Sequence, residues 1–138
     1  MAKYLLDTCI WRDFYEDRIS KSGRPLGKYA NRLFSKLIKN KDTLFYSDIT
    51  VRELLSEYHK AKICEMLNIL FHTKILKRVG ITQEEYALAG QISEERKIPK
   101  NDALHAILAA KVNAILVSQD KHMQKMKDIV EVKRPEEI

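Results

Sequence analysis

Residues 4–11 read YLLDTCIW, and the place of one acid in that stretch decides how the rest of the chain is read. Lys3 to Leu6 forms a short apolar run suited to a buried strand, while Ile10, Trp11, Phe14 and Tyr15 in the following CIWRDFYEDR recur at helical spacing. A strand therefore passes into a helix at Asp7. In open α/β sheets the ligand site lies beyond the carboxyl ends of the strands. An acid at this turn either caps the helix or belongs to a cleft.

The same alternation continues down the chain. RISKSGRPLG, residues 18–27, has the Gly, Ser and Pro content of a loop, and KYANRLFSKLIKN repeats its apolar residues at helix period as far as Asn40. TLFYS, residues 43–47, reads as a second strand. Helices are expected from Thr50 and over AKICEMLNILF, with a short extended piece from Lys74 to Val79 before Gly80. Thr82 and Glu85 have capping-box spacing at the head of the next helix, and Pro99 closes that region. NDALHAILAAKVN, residues 101–113, is apolar on nearly every face, as a helix inside a domain must be. AILVS, residues 114–118, reads as a strand, and IVEVKR as a last one. Strands alternating with helices imply right-handed crossovers and a three-layer α/β/α domain around a mostly parallel sheet. One domain over residues 1–138 is expected, with no internal repeat or linker.

Composition narrows the function. The chain is 45% hydrophobic and 32% charged with only four Gly and three Pro, which suits a compact fold without low-complexity segments. Twenty-five Lys and Arg against nineteen Asp and Glu give a formal charge of +6, a balance that favours polyanions such as nucleic acid. Cys9 and Cys64 stand alone, without the spacing of a disulfide framework or a zinc site. The apolar runs are too short or too interrupted for a signal peptide or a membrane span, so a cytoplasmic location is expected.

Four acids fall at strand ends or in the helix turns that follow them: Asp7, Glu53, Asp102 and Asp120. Each has a local alternative. Asp7 suits an N-cap, Thr50 to Glu53 matches a capping box, Asp102 suits the macrodipole of its helix, and Asp120 suits an ordinary turn. Four unrelated caps, however, need not fall at one end of a sheet. Carboxylates gathered in one cleft repel each other unless a cation offsets their charge. Oxygen ligands suit Mg²⁺ or Mn²⁺, and two such ions about 3.5–4 Å apart activate water and stabilise the leaving oxygen of a phosphodiester. With basic residues around them, such acids describe a nuclease.

LLDTCIW, SDITVREL, PKNDALHAILAA and AILVSQDKHM resemble, in order, the four motifs of the PIN-domain family, many of whose small members are VapC-type ribonuclease toxins. The resemblance spans essentially the whole chain. It implies a Mg²⁺- or Mn²⁺-dependent endoribonuclease acting on an RNA substrate, often homodimeric and often held inactive by a small antitoxin. It also implies that Asp7 and Asp102 are the principal metal ligands, with Asp120 closing the shell directly or through water. Glu53 would bind a second ion or orient the attacking water, and Thr8 and Ser118 would hold the carboxylates by hydrogen bonds. Cys9 and Met123 depart from the family pattern, where Asn or Ser and Phe are usual, which bears on substrate positioning.

Other residues are read conservatively. His105 shares a helix face with Asp102 and is expected to be packed with its ring hydrogen-bonded, whereas His59, His72 and His122 show no ligand spacing and read as surface. Trp11, Tyr4, Phe14 and Tyr15 are expected in the core, although aromatics of this kind also stack on bases. Arg12, Arg52, Lys100 and Lys121 neighbour the acids and are candidate phosphate contacts, and the 18–27 loop is a candidate mobile contact for RNA or antitoxin. A phosphatase with an Asp nucleophile after the first strand is disfavoured, because position 9, where it needs a second Asp, is Cys. A catalytically silent RNA-binding or scaffold domain is the alternative from another class.

Overall fold

A computed structural model describes residues 2–138. The chain lays down β1 (Lys3–Leu6), α1 (Thr8–Glu16), α2 (Leu26–Asn40), β2 (Thr43–Tyr46), α3 (Asp48–Leu55), α4 (Lys60–His72), β3 (Leu76–Arg78), α5 (Gln83–Arg96), α6 (Lys100–Lys111), β4 (Ile115–Val117) and β5 (Val132–Lys133). Short 3-10 helices lie at Lys121–Met126, between β4 and β5, and at Pro135–Glu137 after β5. The sheet has the order β3-β2-β1-β4-β5, and all four pairings are parallel.

Each strand is only two to four residues long, so its burial pattern is simple. Side chains alternate across a strand, and β1 divides accordingly. Tyr4 and Leu6 join Leu44, Leu76 and Val117 under α1 to α4, whereas Leu5 joins Leu116 and Val132 under α5 and α6. Two cores thus form, one on each face of the sheet. Helix α6 is buried continuously from Asp102 to Ala109, which explains why its sequence lacks a polar face.

Several boundaries differ from the sequence reading, each for a local reason. Helix α3 begins at Asp48 rather than Thr50, because β2 ends at Tyr46 and Ser47 takes the extended N-cap conformation. Thr50 is consequently buried inside the helix, and no Thr50–Glu53 capping box forms. The Thr82–Glu85 box does form: Thr82 Oγ1 accepts the Glu85 amide at 3.2 Å, and Glu85 Oε1 accepts the Thr82 amide at 2.8 Å. Helix α6 stops at Lys111, short of Asn113, whose left-handed backbone (φ 57°) turns the chain into β4. Only two residues of IVEVKR pair as β5, since β4 is itself short.

The 18–27 loop is pinned rather than free. Its ends are clasped by the Gly27 amide donating to Arg18 O at 2.9 Å, and a Cβ at Gly27 would lie 2.7 Å from the Asp17 carbonyl carbon, so glycine is needed there. Arg24 ties the loop to Gln119 and Glu136. Trp11 and Tyr4 are buried as expected, but Phe14 and Tyr15 are half-exposed, resting edge-on against Phe34 and Tyr58. Among the described residues, no helix is long and apolar enough to cross a membrane.

Asp13 is a buried acid on α1 whose nearest cation, Arg18 Nη1, stands 3.7 Å away. Burial pushes its carboxyl up to about 6 against the opposing pull of Arg18 and Arg12. A carboxyl raised on folding contributes stability that is complete below its unfolded value near 4 and is lost as pH rises through 6. The full difference is about 3 kcal/mol. Asp13→Asn is therefore expected to match the parent near pH 4 and to exceed it by roughly 2–3 kcal/mol at pH 8 in urea unfolding. A variant no more stable than its parent at pH 8 would refute the assignment.

Candidate active site

The strand order reverses between β1 and β4, because the chain builds outward from β1 to β2 and β3 before returning to place β4 on its other side. That switch point is where an open parallel sheet leaves a crevice at its carboxyl edge. Leu6 pairs with Val117, and the Asp7 amide donates to Val117 O at 2.9 Å, so the two strands end level. Asp7 and Ser118 are thereby set side by side.

Asp7 takes the N-cap position of α1 without spending its carboxylate on a cap. Its Oδ2 instead accepts the Ser118 hydroxyl at 2.7 Å, with Cys9 Sγ 3.6 Å away. The Ser118 oxygen also accepts the Asp120 amide at 2.9 Å, linking two of the acids through one hydroxyl. Asp120 does serve its turn, as Oδ1 accepts the His122 amide at 2.9 Å. Thr8 turns away from Asp7 and donates to Glu53 Oε1 at 2.8 Å.

The same Glu53 oxygen lies 2.9 Å from Nε2 of His105, a ring with no exposed surface. This nitrogen is also 3.7 Å from Asp7 Oδ1. Because Glu53 is a carboxylate acceptor, the ring donates from Nε2, and its buried Nδ1 has no partner. Burial acts to raise the Glu53 carboxyl, yet the His105 bond and charge, with the Thr8 hydroxyl, hold it below the ordinary glutamate range. For His105 burial opposes charging, but the Glu53 bond and the Asp7 and Glu53 charges outweigh it and raise the ring's pKa.

Asp102 opens α6 and is 8% exposed. Its Oδ2 makes no hydrogen bond. Burial first, then the charges of Asp7 and Asp120, push this carboxyl up to about 6. Asp7, Glu53, Asp102 and Asp120 all line one cleft, together with Thr8, Cys9 and Arg12. Of the four cations considered from sequence, Arg12 alone lines it, held 3.7 Å from both Glu16 and Glu57. Burial and then the Asp7 charge push the Cys9 thiol up, which disfavours its thiolate.

His122 is exposed, as its spacing suggested, yet it stands against two of the acids. Nδ1 stands 3.4 Å from Asp102 Oδ2 and 3.5 Å from Asp120 Oδ1, and one ligand atom from each residue falls within 4.8 Å of the others. His105, by contrast, is packed with its ring hydrogen-bonded, as the sequence reading has it. The pairing of His105 with Glu53 spans 52 positions, beyond any local spacing rule. The donor set fits a divalent cation on two counts: converging carboxylates, and a buried Asp102 oxygen left without a donor.

The sheet is all-parallel, and an acid-lined crevice lies at its switch point. The PIN domain family profile matches residues 4–129, and the chain belongs to that family. The fold is similar to that of VapBC2 from Rickettsia felis, solved bound to a DNA fragment from their promoter, with 22% identity over 96% of this chain and 98% of that one and a TM-score of 0.65. A toxin-antitoxin complex from Klebsiella pneumoniae superposes with a TM-score of 0.65 at 17% identity, covering 96% of this chain and 97% of that one. FitAcB from Neisseria gonorrhoeae does so with 0.63 at 16% identity, covering 98% and 99%. No curated protein matches the sequence.

Proposed function

We propose that this protein is a Mg²⁺- or Mn²⁺-dependent endoribonuclease and the toxin of a toxin-antitoxin pair. The observation that carries this reading is the convergence of four acids from separate segments on one cleft, where an Asp102 oxygen is buried without a partner. Asp7 and Asp102 would hold the cation, with Asp120 completing the set. A divalent ion bound there polarises a phosphodiester and acidifies water.

The chain's own groups supply the rest. Ser118 locks one Asp7 oxygen, which fixes the direction of the other. Glu53 has two donors on Oε1, leaving Oε2 to accept the proton of an attacking water. Arg12 at the rim is placed to meet a phosphate, and the net charge of +6 draws a polyanion toward the cleft. Water is the nucleophile in this scheme.

The toxin role rests on the likeness of the fold to a structure described as a toxin-antitoxin complex. A small antitoxin is the proposed partner. Trp11, Phe14, Phe34, Ile38, Met66 and Ile69 line an apolar groove between α1, α2 and α4 that suits a short amphipathic segment of it. A homodimer is proposed as the assembled state.

Purified protein incubated with single-stranded RNA should yield fragments when Mn²⁺ is added and none in excess EDTA, while DNA of the same sequence stays intact. Binding of RNA without any cleavage under Mn²⁺ would make the chain a silent RNA-binding domain instead. Cleavage undiminished by EDTA would remove the metal from the scheme.

A further inference from the structure

We infer that His122 is a nitrogen ligand of the cation held by Asp102 and Asp120, and that it biases the site toward Mn²⁺ over Mg²⁺. The inference rests on the acidic cleft described above but concerns a residue that neither the four-acid pattern nor sequence spacing assigns.

The geometry argues for ligation over simple hydrogen bonding. His122 Nδ1 is 3.4 Å from Asp102 Oδ2 and 3.5 Å from Asp120 Oδ1. A nitrogen donating to a carboxylate lies about 2.7–3.2 Å away, so neither contact is a good hydrogen bond. Two donors each about 2.1 Å from one ion stand roughly 3.0–3.4 Å apart, depending on the angle between them. The 3.4 Å from Asp102 falls at the upper end of that range and the 3.5 Å from Asp120 lies 0.1 Å beyond it, within reach of a small turn of the half-exposed ring. Asp102 Oδ2 is the second, independent observation: a buried acceptor with no hydrogen-bond partner, facing the imidazole.

His122 is also held in place rather than merely nearby. Its amide donates to Asp120 Oδ1, which starts the 3-10 helix Lys121–Met126, and Met123 and Met126 anchor that helix in the core with no exposed surface. The ring is half-exposed and therefore open to exchange of an ion with solvent.

An imidazole changes selectivity. Mg²⁺ takes oxygen ligands and releases its waters reluctantly, whereas first-row transition ions accept imidazole readily. Replacing one oxygen by nitrogen strengthens Mn²⁺ relative to Mg²⁺.

The test uses the full chain and the metal alone, without RNA. Pulsed electron paramagnetic resonance of bound Mn²⁺ should show coupling to an imidazole nitrogen, and His122→Ala should abolish it. By calorimetry, His122→Ala should weaken Mn²⁺ about tenfold, the scale on which ligand-sphere changes act, and Mg²⁺ by less than about threefold. His122→Asn, which offers an oxygen at nearly the same place, should shift the ratio of affinities toward Mg²⁺. Absence of nitrogen coupling in the parent, its persistence in His122→Ala, or equal loss for both metals would overturn the inference. Metal-dependent cleavage without nitrogen coupling would sink this inference alone. Coupling without any cleavage would leave it standing and sink the nuclease reading.

Discussion

Asp7→Asn is expected to abolish Mn²⁺-dependent RNA cleavage, with a loss of at least about 10³-fold, or ~4 kcal/mol of barrier. The substitution removes ligand charge and almost no volume. Asparagine can still accept the Ser118 hydroxyl through its carbonyl, so the link at 2.7 Å that joins β1 to the turn after β4 is retained. Removing one negative charge beside Asp102 also relieves the repulsion that helps push that carboxyl to about 6. The metal-free variant should therefore melt at or above the temperature of its parent. Single-turnover cleavage with a thermal melt separates the two effects, and a folded Asp7→Asn protein that cuts at the parental rate would end the metal-ligand assignment. Asp102→Asn should fall as far. Asp120→Asn should lose less, because its side chain is 38% exposed and already engaged with the His122 amide.

His105→Phe is expected to lower cleavage by about 10–100-fold, chiefly in kcat, the range typical of groups that orient a metal site from outside it. The ring fills the same space, so packing is kept. What disappears is one of two donors on Glu53 Oε1, which frees the carboxylate to rotate. Loss of the unpartnered Nδ1 removes a buried polar atom, and the melting temperature should stay within a few degrees of the parent. His105→Gln, whose amide nitrogen reaches about as far as Nε2, should recover most of the rate and of the Mn²⁺ affinity. Equal losses for Phe and Gln, tracking equal losses of stability, would reduce His105 to a packing residue.

How much of this was legible in the chain depends on range. A run of apolar residues ending on an acid announces both a strand and its carboxyl end, so Asp7 and Asp120 and the strands before them could be placed by local pattern. Asp102 was marked by the apolar helix that it opens. Glu53 was harder, since Ser47 and Thr50 both suit an N-cap and only the length of β2, set by pairing with β1 and β3, decides between them. That choice matters, because a Thr50 cap would have occupied the Glu53 carboxylate. The histidines lay beyond such rules. His105 meets a residue on another helix, and His122 meets Asp102 only because the turn after the carboxyl end of β4 lies beside the start of α6. Phe14 and Tyr15 kept helical spacing without full burial, since Phe14 lines the open groove between α1, α2 and α4 and Tyr15 rests on Tyr58 near the surface.

The reversal of strand order has a bearing on biosynthesis. β4 is the fourth strand to be made, yet it must dock against the first, and two of the cleft's acids come from beyond residue 100. A polypeptide released from the ribosome before Asp102 would carry Asp7 and Glu53 without the neighbours that make them a centre. On the proposed nuclease reading, such premature products lack the assembled cleft, and cleavage would begin only once the sheet closes around its first strand.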